Sequence, residues 1–287
     1  LLFISFLISG NCEGLMCELF AVSSRDPISL TYSLREFARH GGLSHSNKSG
    51  WGISFQQNAD TLLIKEPKPA FDSPWIKFVE ENKISSHSIL AHVRYATEGK
   101  DIYENTHPFK REAYGRAHVF AHNGSLQHFK TALPLISPRF TPMGATDSEH
   151  AFCYLLDQLA PLWYDGIPAL SRRLEVIAYV AEEIRSLGAF NFLYSDGDAL
   201  FVHADLRRYD DHGVFGPRTE PALHWIERRH LRTAGLELSS PTDADSAALI
   251  FASVPLGDDT WQDLPRGSVL AVQGGEIVDR IMLAKVD

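Results

Sequence analysis

The sequence predicts a mixed α and β chain in which strands alternate with helices, two helices follow one another, and strands return at the end. Three observations carry this. Short strand-like runs recur at 19–23, 88–94, 117–121 and 190–195. Two stretches, the one after Thr146 and 174–187, keep apolar residues at helical spacing, with Phe152, Leu155, Leu156 and Leu159 on one face of the first. No composition break, repeat or low-complexity tract divides the 287 residues, of which 44% are apolar and 22% charged, enough to fill a core.

Residues 1–9 are an apolar run too short to cross a bilayer. They resemble the apolar part of a secretion signal but lack a basic lead and an initiator methionine. An over-extended start, a propeptide and a signal compete. The first is favoured, because Met16 then begins the chain and ordinary methionine removal exposes Cys17. The expected organisation is a removed 1–16 leader and one 17–287 domain.

After Cys17, 19–23 reads as a buried strand and 29–39 as a helix (Leu30, Leu34, Phe37) closed by Gly41-Gly42. Segments 51–55 and 61–65 pair about the polar 56–60 turn. A helix over 73–81 starts with Pro74 at its first position. Residues 88–94 alternate Ile89, Ala91, Val93 against Leu90, His92, Arg94, as a half-buried strand does. The strand 117–121 runs into His122-Asn123-Gly124, and 190–195 pairs with 199–203 about Asp196-Gly197-Asp198. Segment 209–245 is polar, rich in histidine and arginine, and reads as an insertion or flexible excursion. Late strands are expected at 247–254, 268–273 and 276–283.

A formal charge of −9 without a basic run argues against a nucleic-acid surface. Three cysteines (Cys12, Cys17, Cys153) are too few for a disulfide framework and point to a reduced, intracellular setting, hence a cytoplasmic, non-membrane protein. The thirteen histidines, among them His45, His87, His92, His118, His122 and His128, form no helix-borne His-x-x-x-His frame with a nearby acid. Neither a phosphate-cradling glycine loop nor a Gly-x-Ser-x-Gly elbow is present. No metal and no cofactor are expected.

The chemistry centres on Met16-Cys17-Glu18-Leu19-Phe20. Cut between Met16 and Cys17, the cysteine carries a thiol (pKa roughly 8.5) and a free α-amine (roughly 7.7–8.0) that can take the thiol's proton at neutral pH. The plain alternative is a small buried hydrophobe, which is also the reading of Cys153 on its predicted helix. Asn123-Gly124 has the composition of a hairpin turn, but Leu126, Phe129 and Leu133 follow at helical spacing. Thr146-Asp147-Ser148-Glu149 has the pattern of a capping box. Arg94 alone reads as a solvated strand-end arginine.

In order along the chain, Cys17, Arg94-Tyr95-Ala96-Thr97, His122-Asn123-Gly124 and Thr146-Asp147-Ser148-Glu149 resemble the glutaminase domain of the class II glutamine amidotransferases, which are N-terminal-nucleophile hydrolases. Met16 to Phe20, Ser49-Gly50-Trp51-Gly52-Ile53 and Glu104-Asn105-Thr106-His107-Pro108-Phe109 look like the stand-alone branch that includes the γ-glutamyl hydrolase of ergothioneine biosynthesis. The resemblance implies an α+β four-layer αββα sandwich with two antiparallel sheets between helices. It implies Cys17 as nucleophile, the Asn123 side chain and Gly124 N–H as oxyanion donors, Arg94 on the substrate α-carboxylate, Tyr95 and Thr97 shaping that pocket, and Asp147 on the α-ammonium. His107 is expected to be structural. Glu98 departs from relatives with a synthase domain, many of which carry histidine there. The implied activity is hydrolysis of glutamine or another γ-glutamyl amide through a thioester. A catalytically silent glutamine- or γ-glutamyl-binding regulator is the alternative. Only 140 residues follow Asp147, so the expected partners are the small substrate and either a separate synthase subunit or none.

Overall fold

Strand β1 (Glu18–Leu30) begins one residue after Cys17 and occupies the middle of the larger sheet. A computed structural model describes residues 17–30, 32–43, 47–96, 99–211, 214–228, 238–239, 247–257 and 259–284. After β1 come α1 (Tyr32–His40), the hairpin β2 (Trp51–Gln57) and β3 (Asp60–Glu66), then α2 (Pro74–Asn82) and β4 (Ser85–Val93). The start of α2 follows its sequence: the Ser73 hydroxyl accepts the Trp75 N–H at 3.2 Å, and Pro74, with no N–H to leave unpaired, takes the first turn. Next are β5 (Phe109–Ala113), β6 (Arg116–Leu126), the single turn α3 (Phe129–Ala132), and the long helices α4 (Asp147–Leu159) and α5 (Leu170–Arg185). Strands β7 (Gly188–Ser195), β8 (Leu200–His203), β9 (Arg207–Asp211), β10 (Val214–Thr219), β11 (His224–Arg228), β12 (Leu238–Ser239), β13 (Ala248–Ala252), β14 (Gln262–Asp263), β15 (Ser268–Gln273) and β16 (Glu276–Met282) complete the order.

The larger sheet runs β14-β11-β13-β1-β4-β2-β3 with β12 beside β1; the smaller runs β16-β15-β8-β7-β6-β5, and β9 pairs with β10. Neighbours are antiparallel in both sheets. The two-residue period of β1 assigns the layers. Leu19 and Ala21 face the smaller sheet and pack with Val119, Ala121, Leu193 and Val202. Phe20 and Val22 face outward onto Leu34 and Phe37 of α1 and Ile76 and Val79 of α2. On the far side of the smaller sheet, Phe120, Phe190 and Phe192 pack on Phe152 and Leu155 of α4 and Ile177 and Ile184 of α5. The result is the helix–sheet–sheet–helix sandwich that the resemblance implies.

Three local expectations are corrected. β1 runs on to Leu30, past a register shift between Ser23 and Ile28 that accommodates Pro27, so the helix expected at 29 begins only at Tyr32. Ser29 and Leu30 are held by pairing with β12. β6 continues through Asn123-Gly124 to Leu126, so no hairpin turn forms there, and the helical spacing that follows gives only the single turn α3. The polar stretch after 209 is not simply an excursion: β11 inserts between β13 and β14, with Ile226 buried. Of that stretch, 212–213, 229–237 and 240–245 lie outside the described residues, as does the 1–16 leader with Cys12. No described helix is long and apolar enough to cross a membrane.

Candidate active site

Cys17 stands at the head of β1, half-buried at the edge of the space between the sheets. Its Sγ is held by one peptide unit: the Tyr95 N–H donates to it at 3.2 Å, and the thiol lies 3.2 Å from the Tyr95 carbonyl. Burial pushes the Cys17 thiol up. The Tyr95 N–H pulls it down, followed by the Arg94 and Arg207 guanidinium charges, and the Asp147 carboxylate adds a smaller upward push.

Asn123 and Gly124 come from the other sheet. Within β6 they lie opposite Asn191 and Phe190 of β7. The Asn123 Nδ2 donates to the Cys17 carbonyl, which joins the two sheets at Cys17. Gly124 is required by proximity: a Cβ there would lie 1.8 Å from the Ala189 carbonyl oxygen and 2.7 Å from Nε2 of His122. A glycine at this position lets the two backbones close and leaves the Gly124 N–H unshielded by a side chain.

Arg94 is not solvated. Its side chain is 4% exposed, and its Nη1 donates to Asp101 Oδ1 at 2.8 Å and to the Ser49 carbonyl at 3.3 Å. Tyr95 contributes its peptide to the thiol and lines the cleft. Thr97 and Glu98 lie outside the described residues.

Asp147 opens α4. Its Oδ2 accepts the Leu126 N–H at 2.7 Å, and its Oδ1 accepts the Ser148 N–H at 2.8 Å, so it ties the end of β6 to the helix. The capping box forms by half. Thr146 Oγ1 accepts the Glu149 N–H at 3.2 Å, but the Glu149 side chain turns to Arg111 and to the N–H groups of Met143 (3.0 Å) and Gly144 (2.6 Å).

Beneath the cleft lie buried histidines. His122 Nε2 donates to the Ala189 carbonyl at 3.3 Å, which leaves Nδ1 as acceptor for the Ser148 hydroxyl at 2.8 Å. His107 stacks on His92 with centroids 4.1 Å apart. Burial holds His92 down to about 3 and His107 well below the usual histidine range. His107 is buried and also lines the cleft. Gly52 explains part of its motif, since a Cβ there would meet the His107 carbonyl at 2.4 Å.

One small cleft is lined by Cys17, Arg94, Tyr95, Gly124 and Asp147 together, with His122 and Ser148 behind them. Asn123 sits below this lining, 1% exposed, and reaches the site through Cys17. Sequence reasoning missed Asn191, Arg207 and the Asp101 partner of Arg94. Asn191 had a signal: in Phe190-Asn191-Phe192-Leu193 it is the polar residue at a position pointing between the sheets. Among the described residues no cluster of three or more His, Cys, Asp or Glu could hold a metal ion.

Two facing antiparallel sheets clad by helices, with a thiol where a central strand of one sheet meets the other, are the architecture of the N-terminal-nucleophile hydrolases. The model for the family described as "Glutamine amidotransferases class-II" matches residues 16–286, and the chain belongs to that family. It is 34% identical over 261 residues to YafJ of Escherichia coli, assigned by name to the glutamine amidotransferases, covering 88% of this chain and 95% of that one. The crystal structure of a predicted glutamine amidotransferase from Pseudomonas aeruginosa superposes with a TM-score of 0.65 at 28% identity, covering 92% of this chain and all of that one. The glutamine phosphoribosylpyrophosphate amidotransferase of B. subtilis shares the fold (TM-score 0.54, 17% identity), matching 93% of this chain and 49% of its own length. Family membership brings with it the family's chemistry, hydrolysis or transfer of the glutamine side-chain amide.

Proposed function

We propose that the chain hydrolyses a γ-glutamyl amide with Cys17 as an N-terminal nucleophile. The observation that carries this reading is the single cleft in which the thiol, Gly124, and the opposite charges of Arg94 and Asp147 meet. Once the bond between residues 16 and 17 is cut, the Cys17 α-amine accepts the thiol proton as Sγ attacks the side-chain carbonyl. It then delivers that proton to the departing nitrogen. The oxygen that becomes negative is met by the Asn123 amide and the Gly124 N–H, and water releases glutamate from the thioester.

The clamp on the glutamyl end fits the charges present. Asp147 Oδ2, which accepts the Leu126 N–H, retains a lone pair for an α-ammonium. The Asp101 side chain that Arg94 holds is 52% exposed. A substrate carboxylate can take its place on Arg94, one carboxylate exchanged for another on the same buried guanidinium. Thr97 completes this pocket in our reading.

The test is a screen of glutamine, γ-glutamyl amides and γ-glutamyl thiol conjugates, with release of glutamate and amine measured by mass spectrometry. Protein of verified N-terminal sequence is used, beside Cys17→Ala. We expect turnover only where the chain begins at Cys17, and none in Cys17→Ala. Turnover by protein that retains residues 1–16 sinks the self-base mechanism. Binding without turnover by a chain beginning at Cys17 supports the silent-regulator alternative. Turnover of glutamine alone, to glutamate and free ammonia, directs the search to a separate synthase partner.

A further inference from the structure

A buried asparagine outside the cleft is bonded to both of its charged sides. Asn105 ends the short helical turn Tyr103–Asn105 and is 1% exposed. Its Nδ2 donates to the Lys100 carbonyl at 3.0 Å, and its Oδ1 accepts the Ala145 N–H at 2.9 Å. The first partner belongs to the segment that holds Arg94, whose guanidinium donates to the Gly99 carbonyl at 3.5 Å, to the Lys100 carbonyl at 3.4 Å and to Asp101 Oδ1 at 2.8 Å. The second partner precedes Thr146, the cap of α4, and Asp147 at its first position. Three successive N–H groups before that cap are thus held, those of Met143 and Gly144 by Glu149 and that of Ala145 by Asn105. Glycine stands where the amide passes on either side: a Cβ on Gly144 would lie 2.3 Å from Asn105 Oδ1, and one on Gly99 3.0 Å from Nδ2. The turn itself is anchored, since Thr106 Oγ1 donates to the Ile102 carbonyl at 2.9 Å and the Thr106 carbonyl accepts Lys65 Nζ of β3 at 2.7 Å.

We propose, on the reading of Arg94 and Asp147 as the glutamyl clamp, that Asn105 is the positioning residue that sets the spacing between them. Arg94 and Asp147 line the cleft and Asn105 does not, so it acts through the two segments it joins. Two charges that recognise one amino-acid end must be held at the spacing of that end's own charges, to within about 0.5 Å. The task calls for a carboxamide. One side chain must donate to one backbone segment and accept from another, and a carboxylate of the same shape only accepts. When a substrate carboxylate takes the place of Asp101 on Arg94, the Lys100 carbonyl stays on the guanidinium, and the Asn105 amide keeps that carbonyl in place.

The test uses two thiol reagents on protein that begins at Cys17. The diazoketone analogue of glutamine carries both α-groups, and iodoacetamide carries neither. Labelling of Cys17 is followed by peptide mass, beside Tm. In Asn105→Ala the diazoketone concentration that half-saturates labelling is expected to rise about tenfold or more, with the limiting rate changed less than about threefold. The iodoacetamide rate should stay as in wild type. Asn105→Asp keeps an acceptor for the Ala145 N–H but turns a carboxylate oxygen on the Lys100 carbonyl. It should show the same rise, yet reject the Nα-acetylated diazoketone as wild type does, because the Asp147 side is still held. A folded Asn105→Ala protein with wild-type half-saturation overturns the proposal, as does an equal fall in labelling by both reagents, which marks a general loosening of the site. If Asn105→Ala does not fold, an Asn105→Asp protein with wild-type half-saturation overturns it instead. Failure of the functional reading is separate: wild-type protein then takes the diazoketone no faster than its Nα-acetylated form.

Discussion

Gly124→Ala tests where the oxyanion site lies, because the structure allows its effect to be worked out. The new Cβ would stand 1.8 Å from the Ala189 oxygen and 2.7 Å from both that carbonyl carbon and Nε2 of His122. Ordinary C···O contacts are about 3.3 Å or longer, so β6 and β7 must part locally by about 1.5 Å. Neither side yields easily. Residues Val119 to Leu126 are paired in unbroken register with Ser195 to Gly188, and both nitrogens of the His122 ring are engaged. Overpacking of this kind costs about 1–3 kcal/mol, and the upper end applies because the obstructing atoms are backbone. A chain of this size then loses several degrees of Tm. The larger effect falls on rate. The Gly124 N–H and the adjacent Asn123 shift with the strand, and a misplacement of about 1 Å can cost on the order of 100-fold. Steady-state kinetics beside thermal denaturation measures both. Gly115→Ala is the control: its backbone is left-handed (φ 72°), but a Cβ there meets nothing within 4 Å. It should lose about 1 kcal/mol of stability with kcat unchanged. A folded Gly124→Ala protein with kcat within threefold of wild type would refute the placement of the oxyanion site.

Acid should weaken the fold before carboxylates titrate. Burial holds His92 to about 3 and His203 to about 4, whereas the unfolded chain takes up protons near 6.5, so stability is complete above that value and falls as pH falls. Each of the two costs about 2 kcal/mol between pH 7 and pH 5, and equal unfolding free energies at the two pH values by denaturant titration would contradict their neutral burial. Asp147→Asn should lose most of the discrimination against a substrate with an acetylated α-amine. It should also lose about 1–3 kcal/mol of stability, because its amide nitrogen cannot accept the Leu126 N–H; retained discrimination with a lower Tm would reduce Asp147 to a strand–helix tie. Arg173→Met leaves Asp196, bonded to Arg173 at 2.6 Å and 1% exposed, without its cation, and should cost about 3–5 kcal/mol by denaturant unfolding; a loss below 1 kcal/mol would mean that Asp196 stays satisfied without it.

Elements whose pattern is local were legible in the sequence. Ser73-Pro74 sets the start of α2, Asp196-Gly197-Asp198 joins β7 to β8, and the apolar face of Phe152, Leu155 and Leu159 places α4. Cys17, Gly124, Arg94 and Asp147 could be singled out because motif order brings together residues far apart in the chain. What stayed hidden depends on partners distant in sequence. Ser29 and Leu30 look helical until β12 pairs with them, and β11 reads as polar excursion until β13 lies beside it. Glu149 reads as a cap until Arg111, 38 residues away, takes its carboxylate. Arg207 has no local signal at all, since its place is fixed by Ser253, 46 residues further on.

The grip of the Tyr95 peptide on Cys17 has a consequence for the life of the protein between turnovers. With the Tyr95 N–H and carbonyl each 3.2 Å from Sγ, the resting sulfur is parked against that peptide, and burial favours the thiol over the thiolate. Peroxides and stray electrophiles attack thiolates, so a sulfur held as the thiol is the slower to be oxidised. Under the proposed role of Cys17, the sulfur leaves this peptide before it attacks the substrate carbonyl.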